Sequence, residues 1–262
     1  MIRALNSAAS GMYGQQLLID NIANNLANVN TTAFKRSRVE FQDLVYQTLR
    51  SRGNTQQLGA PLPTELQIGH GVRPVATQKS FEQGNILPTG NPLDMSIDGE
   101  GFFQITKPEG TSLYTRDGSF KISPDGSIIT SDGYMLEPSI TIPTDAMEVS
   151  IARDGTVSAI LIGDVEPQTV GQLELVRFVN PAGLTSQGQN LYRETVASGP
   201  PIPGTPGMEG LGQVSQGYLE SSNVQIVEEM VAMIVAQRAY EVASKAIRTA
   251  DDMLSIANQL KR

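Results

Sequence analysis

The chain has 262 residues, of which 39% are hydrophobic and 18% charged, enough for one large domain or two ordinary ones with a packed core. It has no cysteine, which excludes disulfides, thiolate catalysis and Cys-based zinc sites. The net charge of −8 divides into +3 over residues 1–52, −10 over 53–218 and −1 over 219–262, so nucleic acid would meet a repulsive middle. Aromatics are 5% of the chain with no Trp, so a large core should be mostly aliphatic. No apolar run reaches the ~18 residues of a spanning helix. Asn6, Ser7, Ser10 and Gly11 interrupt the stretch where a cleaved secretory signal needs its apolar core. The sequence reads as cytoplasmic, or as exported without a cleaved signal.

The first predicted element is a helix. Leu5, Met12, Ile19 and Leu26 recur every seven residues, beside a second row of Ile2, Ala9, Gln16 and Ala23. Gly11 and Gly14 weaken it by about 1 kcal/mol each relative to Ala. Asparagine stands at 21, 24, 25, 28 and 30, although its amide competes with the backbone for hydrogen bonds. Asn21, Asn25 and Asn28 form a row at helical steps beside Ile19, Ile22 and Leu26. An amide both donates and accepts, so this row can satisfy backbone or a neighbouring subunit without burying charge. The bland alternative is five solvated helix-end residues. Asn28 and Asn30 should end the helix, because Asn tolerates a left-handed cap.

"RSRGNTQQLGAPLPTE", from Arg50 onward, is polar with Gly and Pro and reads as an extended linker. The pattern then changes to period two, with Asp-Gly pairs at 98–99, 117–118, 125–126, 132–133 and 154–155. "SFKISPDGSIIT" and "VSIARDGTVSAIL" each set such a pair between alternating runs, a hairpin signal. "GQLELVRFV" reads as a further strand, and the β region runs over roughly residues 67–192. The Pro- and Gly-dense stretch 198–213 should be extended rather than helical.

The last predicted element is a long helix. Ser222 with Gln225 three residues on is a capping-box pattern, and neither Pro nor Gly follows from Val224 to Leu260. A helix of that length reaches roughly 55 Å. One row reads Ile226, Met233, Tyr240, Ile247 and Leu254, alternating with Ala236, Ala243, Ala250 and Ala257. Ala232, Ala239, Ala246, Met253 and Leu260 add a third row, and "MVAMIVA" (230–236) is apolar on every side. A helix apolar all round must be buried all round. One short N-terminal helix cannot do that, so the middle domain or other copies of the chain must complete the cover. Two wide stripes should leave both ends mobile before assembly, around a protease-resistant core near residues 67–192.

The fold class expected is therefore α+β. N- and C-terminal helices should pack as a coiled-coil-like helical domain around a central antiparallel β-rich domain. Its boundaries would be a first helix and turn over 1–46, an insertion over 47–66, a β domain over 67–197, a linker over 198–217 and a last helix over 218–262.

No catalytic, cofactor-binding or metal-ligating set is expected. His70, the only histidine, reads as a turn residue between two glycines. Asp94, Asp98 and Glu100 could pair as glycosidase carboxylates, but they also read as a hairpin turn with solvated flanks. The Asp-Gly run over 117–133 does not fit an EF-hand or a calcium nonapeptide.

"IANNLANVNTTAFKRSR" resembles the N-terminal signature of the rod and hook group of bacterial flagellar axial proteins. "SNVQIVEEMVAMIVAQRAYEVASKAIRTADDML" is similar to that group's C-terminal signature. "GVRPVATQKSFEQGNILPTGNPLDMSIDGEGFFQI", "YTRDGSF" and "GQLELVRFVNPAGL" extend the likeness along nearly the whole chain. Within the group the inner segments are most similar to the distal-rod members. The resemblance implies a helical homopolymer whose terminal helices line an inner tube, carried by Leu5, Met12, Ile19, Asn21, Asn25, Leu26 and Asn28. From the other end it would be carried by Met233, Ala236, Tyr240, Ala243, Ile247, Ala250 and Leu254. It also implies export through the flagellar type III apparatus and assembly beneath a rod cap in the periplasm. The partners it implies are the proximal rod and hook proteins and the surrounding L and P ring proteins, with torque passed along the shaft. An insertion associated with a straight tube would fall at roughly 47–64. Ala33 stands where the family commonly has Gly, which argues against a left-handed backbone there. A proximal rod or hook subunit is the alternative within the group, and a peptidoglycan-cleaving enzyme the alternative from another class.

Overall fold

The computed structural model describes residues 2–50, 65–163 and 166–259, so most of the expected insertion lies outside the described residues. The chain forms two compact units, one of residues 1–27, 37–78 and 225–262 and one of 28–36 and 79–224.

The first unit holds both helices, α1 (Ile2–Ala27) and α2 (Ile226–Gln259). Ser37–Asp43 pairs with Val72–Lys79 as a two-stranded sheet, and Gln47–Arg50 pairs with Leu66–Ile68. Gly14 is buried because Phe41 crosses it; an added Cβ would stand 3.1 Å from the ring. Gly11 has open space around the same position. Gly11→Ala should therefore raise stability by about 0.5–1 kcal/mol in urea melts, the ordinary helix-propensity gain. Gly14→Ala is expected to lose that gain to the ring. Equal gains at both positions would show that Phe41 yields freely.

Both helix ends differ from expectation. Neither Asn28 nor Asn30 has a positive φ; α1 ends at Ala27, and turns carry Thr31 N–H to the Asn28 carbonyl (3.1 Å) and Phe34 N–H to that of Thr31 (3.3 Å). The left-handed residue is Ala33, at φ 54°, where the missing glycine had argued against one. It is 1% exposed and its N–H donates to the Glu220 carbonyl at 2.8 Å, so burial and a hydrogen bond offset a strain of about 1–2 kcal/mol. At α2 the Ser222 hydroxyl accepts from Val224 N–H, two residues on (3.3 Å), rather than from the helix. The first α-helical bond is Glu229 N–H to the Gln225 carbonyl, so the helix starts later than the capping pattern predicted.

The second unit is β-rich and antiparallel, built on a nine-stranded sheet. Two expected hairpins form: Phe120–Ile122 pairs Ile128–Thr130 around Asp125-Gly126, and Ala146–Ile151 pairs Thr156–Leu161 around Asp154-Gly155. Asp98-Gly99 is a corner instead. The strand before it, Met95–Asp98, pairs with Gln213–Gln216, while Phe102–Thr106 after it pairs with Ser112–Thr115. "GQLELVRFV" is two strands, Gln168–Gln172 and Leu175–Arg177, with different partners. The Pro/Gly stretch expected as a linker contributes Ile202–Gly204, which pairs with Leu175–Arg177.

Period-two alternation buries both faces of the central strands. Phe103, Ile105 and Leu113 enter a cluster that is mostly aliphatic, with Met95, Ile97, Val157 and Leu175. Their neighbours Phe102 and Tyr114 point into a second cluster with Phe178, Tyr192 and Phe81. This second core departs from the aliphatic expectation: few aromatics are present, but they are gathered in edge-to-face contacts, Tyr114–Phe178 at 4.8 Å and Phe81–Tyr192 at 5.2 Å.

Candidate assembly surface

In the first unit α1 packs on α2, and Asn25 near the end of α1 meets Glu229 near the start of α2, so the helices run in opposite directions. The predicted rows face this seam. Ala236 and Ala250 are buried, and Met233, Ala243, Ile247 and Leu254 are half-buried, with Tyr240 at the margin. Leu5, Met12, Ile19 and Leu26 of α1 are half-buried. Of the third row, Ala232, Ala246 and Met253 are exposed and Ala239 half-buried, while Leu260 lies outside the described residues.

The seam leaves the other side of α2 bare. Val227, Met230, Val231, Ile234 and Val235 are 50–75% exposed, and they follow one another along the first turns of the helix. Sequence periodicity shows that α2 is apolar on several sides; it does not show which side α1 takes. A continuous apolar face of this kind goes beyond the scattered single apolar residues of an ordinary surface. Among the described residues no helix is long and apolar enough to cross a membrane.

The asparagine row divides. Asn24 and Asn30 are exposed, whereas Asn25 is 1% exposed. The Asn25 amide grips the backbone of Ser37 at two points, accepting from its N–H at 3.0 Å and donating to its carbonyl at 2.9 Å. It also donates to the Glu229 carboxylate at 3.4 Å. Asn21 donates to the Ser37 hydroxyl at 2.8 Å. Asn28, half-buried, accepts from the Thr31 hydroxyl at 3.1 Å. The polar groups satisfied at Asn21 and Asn25 belong to this chain.

In the second unit Lys35, Arg116 and Glu220 form a buried ionic knot with no signal in the sequence, since 185 residues separate Lys35 from Glu220. Both side chains are fully buried; Lys35 Nζ donates to Glu220 Oε1 at 2.6 Å and to the Glu82 carbonyl at 2.6 Å. Arg116 Nε donates to Glu220 Oε2 at 3.0 Å, and its guanidinium to the Gly99 carbonyl at 2.6 Å. Gly84 N–H completes the carboxylate at 2.8 Å. Two cations thus share one anion. Burial, with Arg116 adding to it, lowers the Lys35 ammonium from its ordinary 10.5 to about 8. Asn223 ties the same segments, accepting from Arg36 N–H at 2.7 Å and donating to the Ser80 and Glu82 carbonyls.

Two of the carboxylates weighed as catalytic, Asp94 and Asp98, accept hydrogen bonds from neighbouring amides. Asp94 is buried and accepts from Asn91 at 2.9 Å, a correction to its reading as a solvated flank, and Asp98 accepts from Gln83 at 3.3 Å. His70 Nδ1 donates to the Val45 carbonyl at 3.0 Å.

Three family descriptions match: "Flagella basal body rod protein" over residues 5–35, "Flagellar hook protein FlgE/F/G D1 domain" over 96–159, and "Flagellar basal body rod FlgEFG protein C-terminal" over 215–260. The flagellar basal-body rod protein FlgG of Borreliella burgdorferi is 52% identical across the whole of both chains. That of Buchnera aphidicola subsp. Schizaphis graminum is 49% identical over 99% of this chain and 100% of its own. FlgF of Caulobacter vibrioides is 36% identical over 92% of this chain and 91% of its own, a weaker likeness than either.

Proposed function

This chain belongs to the family of flagellar basal-body rod proteins, and we infer that it is a structural subunit of the distal rod, without catalysis of its own. Copies assemble into a tube in which the α1–α2 pairs pack against one another in coiled-coil-like fashion and line the bore. The single observation that supports this is the bare apolar face of α2 from Val227 to Val235, beside a seam already filled by α1. The surface that meets the next copy is then this face, while Met233, Ala236, Tyr240, Ala243, Ile247, Ala250 and Leu254 hold the pair together. The subunit sits in the basal body in the periplasm, exported without a cleaved signal. Its neighbours are the proximal rod and hook proteins, the L and P ring proteins, the rod cap and the export apparatus. Residues 47–64 would stiffen the tube.

The test is electron microscopy of the concentrated, purified protein. Straight tubes with helices around the bore are expected. Protein that stays monomeric at every concentration, with α2 fully helical, would overturn the reading.

A further inference from the structure

We propose that Met230 is a modification site that regulates assembly: oxidation of its thioether by a hydroperoxide blocks the contact between copies, and reduction restores it. The inference rests on the reading of the bare α2 face as that contact, and adds how the contact is controlled. The chain has neither cysteine nor tryptophan, so mild peroxide meets thioethers before other side chains. Met95 is sealed in the aliphatic core, and Met12 and Met233 are half-buried. Met230 is 50% exposed. Met135, Met147, Met208 and Met253 are as open, but the first three belong to the β-rich unit and Met253 lies near the far end of α2.

What sets Met230 apart is its surroundings. Residues three and four apart are neighbours on a helix surface. At those spacings Met230 has Ile226, Val227, Met233 and Ile234, all apolar, with exposed Val231 alongside. Its sulfur is therefore the oxidisable atom at the middle of an otherwise inert face. In the reaction the sulfur attacks one peroxide oxygen and the O–O bond breaks as the S–O bond forms. Sulfur gives up two electrons, and the departing hydroxide takes the proton of the sulfur-bound hydroxyl and leaves as water. A flexible apolar side chain becomes a polar, chiral one. In the monomer the new oxygen stays in water, so the helix pair keeps its fold. Beneath a second copy it would be enclosed by side chains that offer no donor. Burying a polar group without a partner should raise the concentration needed for assembly by about tenfold to a hundredfold.

The test treats full-length monomer with hydrogen peroxide, maps the oxidised residues by peptide mass, and reads assembly by light scattering and helix content by circular dichroism. The parent's threshold should rise about tenfold or more with helix content unchanged, and the two epimer-specific methionine sulfoxide reductases with a thiol reductant should return it to within about twofold of its start. Met230→Leu keeps the apolar bulk and every other methionine, so its threshold should stay within about twofold of the parent's before and after peroxide. Met230→Gln, polar without oxidation, should raise the threshold about tenfold untreated. A Met230→Leu chain that loses as much assembly to peroxide as the parent overturns the proposal, as does a parent oxidised at Met230 whose threshold is unmoved. Ile234→Asp separates this failure from that of the underlying reading. If it blocks tubes while the sulfoxide does not, the regulatory inference alone falls; if neither does, or the parent never assembles, the α2 face falls with it.

Discussion

Glu220→Gln is expected to lower the stability of the β-rich unit by about 3–5 kcal/mol. The substitution keeps the volume and some hydrogen bonding but removes the anion that Lys35 and Arg116 share, leaving both buried cations without that counter-charge. Lys35→Met should cost far less, about 1–2 kcal/mol, because Glu220 keeps Arg116 and the Gly84 N–H while the surplus positive charge disappears. Urea melts of the two variants decide between a net-charge account and a packing account. Equal losses would mean that contact geometry matters and charge balance does not.

The same knot predicts a pH dependence. In the folded chain Lys35 releases its proton near pH 8, whereas unfolded it holds it to about 10.5. Between those values the unfolded state binds more protons, so stability rises with pH, by up to about 3 kcal/mol. Burial of Lys79 lowers its ammonium too and acts in the same direction. The buried phenols oppose this. Tyr114 is pushed from 10.0 up to about 12, chiefly by burial, and Tyr192 is raised further for the same reason. Above pH 10 the unfolded phenols ionise first and stability falls again. A maximum between about pH 9 and 10 is expected for the parent, and Lys35→Met should lose most of the rise, leaving the part due to Lys79, while keeping the fall. A parent curve that is flat from pH 7 to 10 would contradict the arrangement.

Local chemistry was legible in the sequence where it is also sufficient. Asp125-Gly126 and Asp154-Gly155 close hairpins because the strands on either side of each pair with one another. Asp98-Gly99 carries the same turn chemistry, yet it joins strands whose partners lie elsewhere, Gln213–Gln216 for one and Ser112–Thr115 for the other. A turn signal reports that the chain bends, and says nothing of which strands then pair. Ala33 shows the converse limit. Its side chain argued against a positive φ, but its N–H bond to Glu220 and its burial come from residues far along the chain, and together they outweigh local strain. The spacing of Asn21, Asn25 and Asn28 allows bonds to backbone or to a neighbouring subunit as well as plain solvation, and it took the structure to show Ser37 as the partner of Asn21 and Asn25 and Glu229 as a second partner of Asn25. Heptad spacing likewise gave the seam of α2 but could not tell which of its apolar faces α1 covers.

That last ambiguity gives the second large effect, because the two faces of α2 answer differently to the same substitution. Ile234→Asp is expected to abolish tube formation at parent concentrations and leave the monomer's melting curve unchanged, since Ile234 is 56% exposed. Covering the exposed parts of Val227, Met230, Val231, Ile234 and Val235 contributes on the order of 5 kcal/mol per subunit. Placing a carboxylate in that contact removes a share of this and adds the cost of desolvating a charge, several kcal/mol in all. At about 1.4 kcal/mol per tenfold, the concentration needed for assembly should rise by roughly a hundredfold or more. Ala236→Asp makes the contrast, for Ala236 is 1% exposed in the seam, and an aspartate there should unfold the helix pair before any question of assembly arises. Light scattering against concentration, with circular dichroism of the monomer, reads both outcomes. Tubes of Ile234→Asp at the parent's threshold would remove this face from the subunit contact and return the search to the sides of α2 that carry Ala232, Ala246 and Met253.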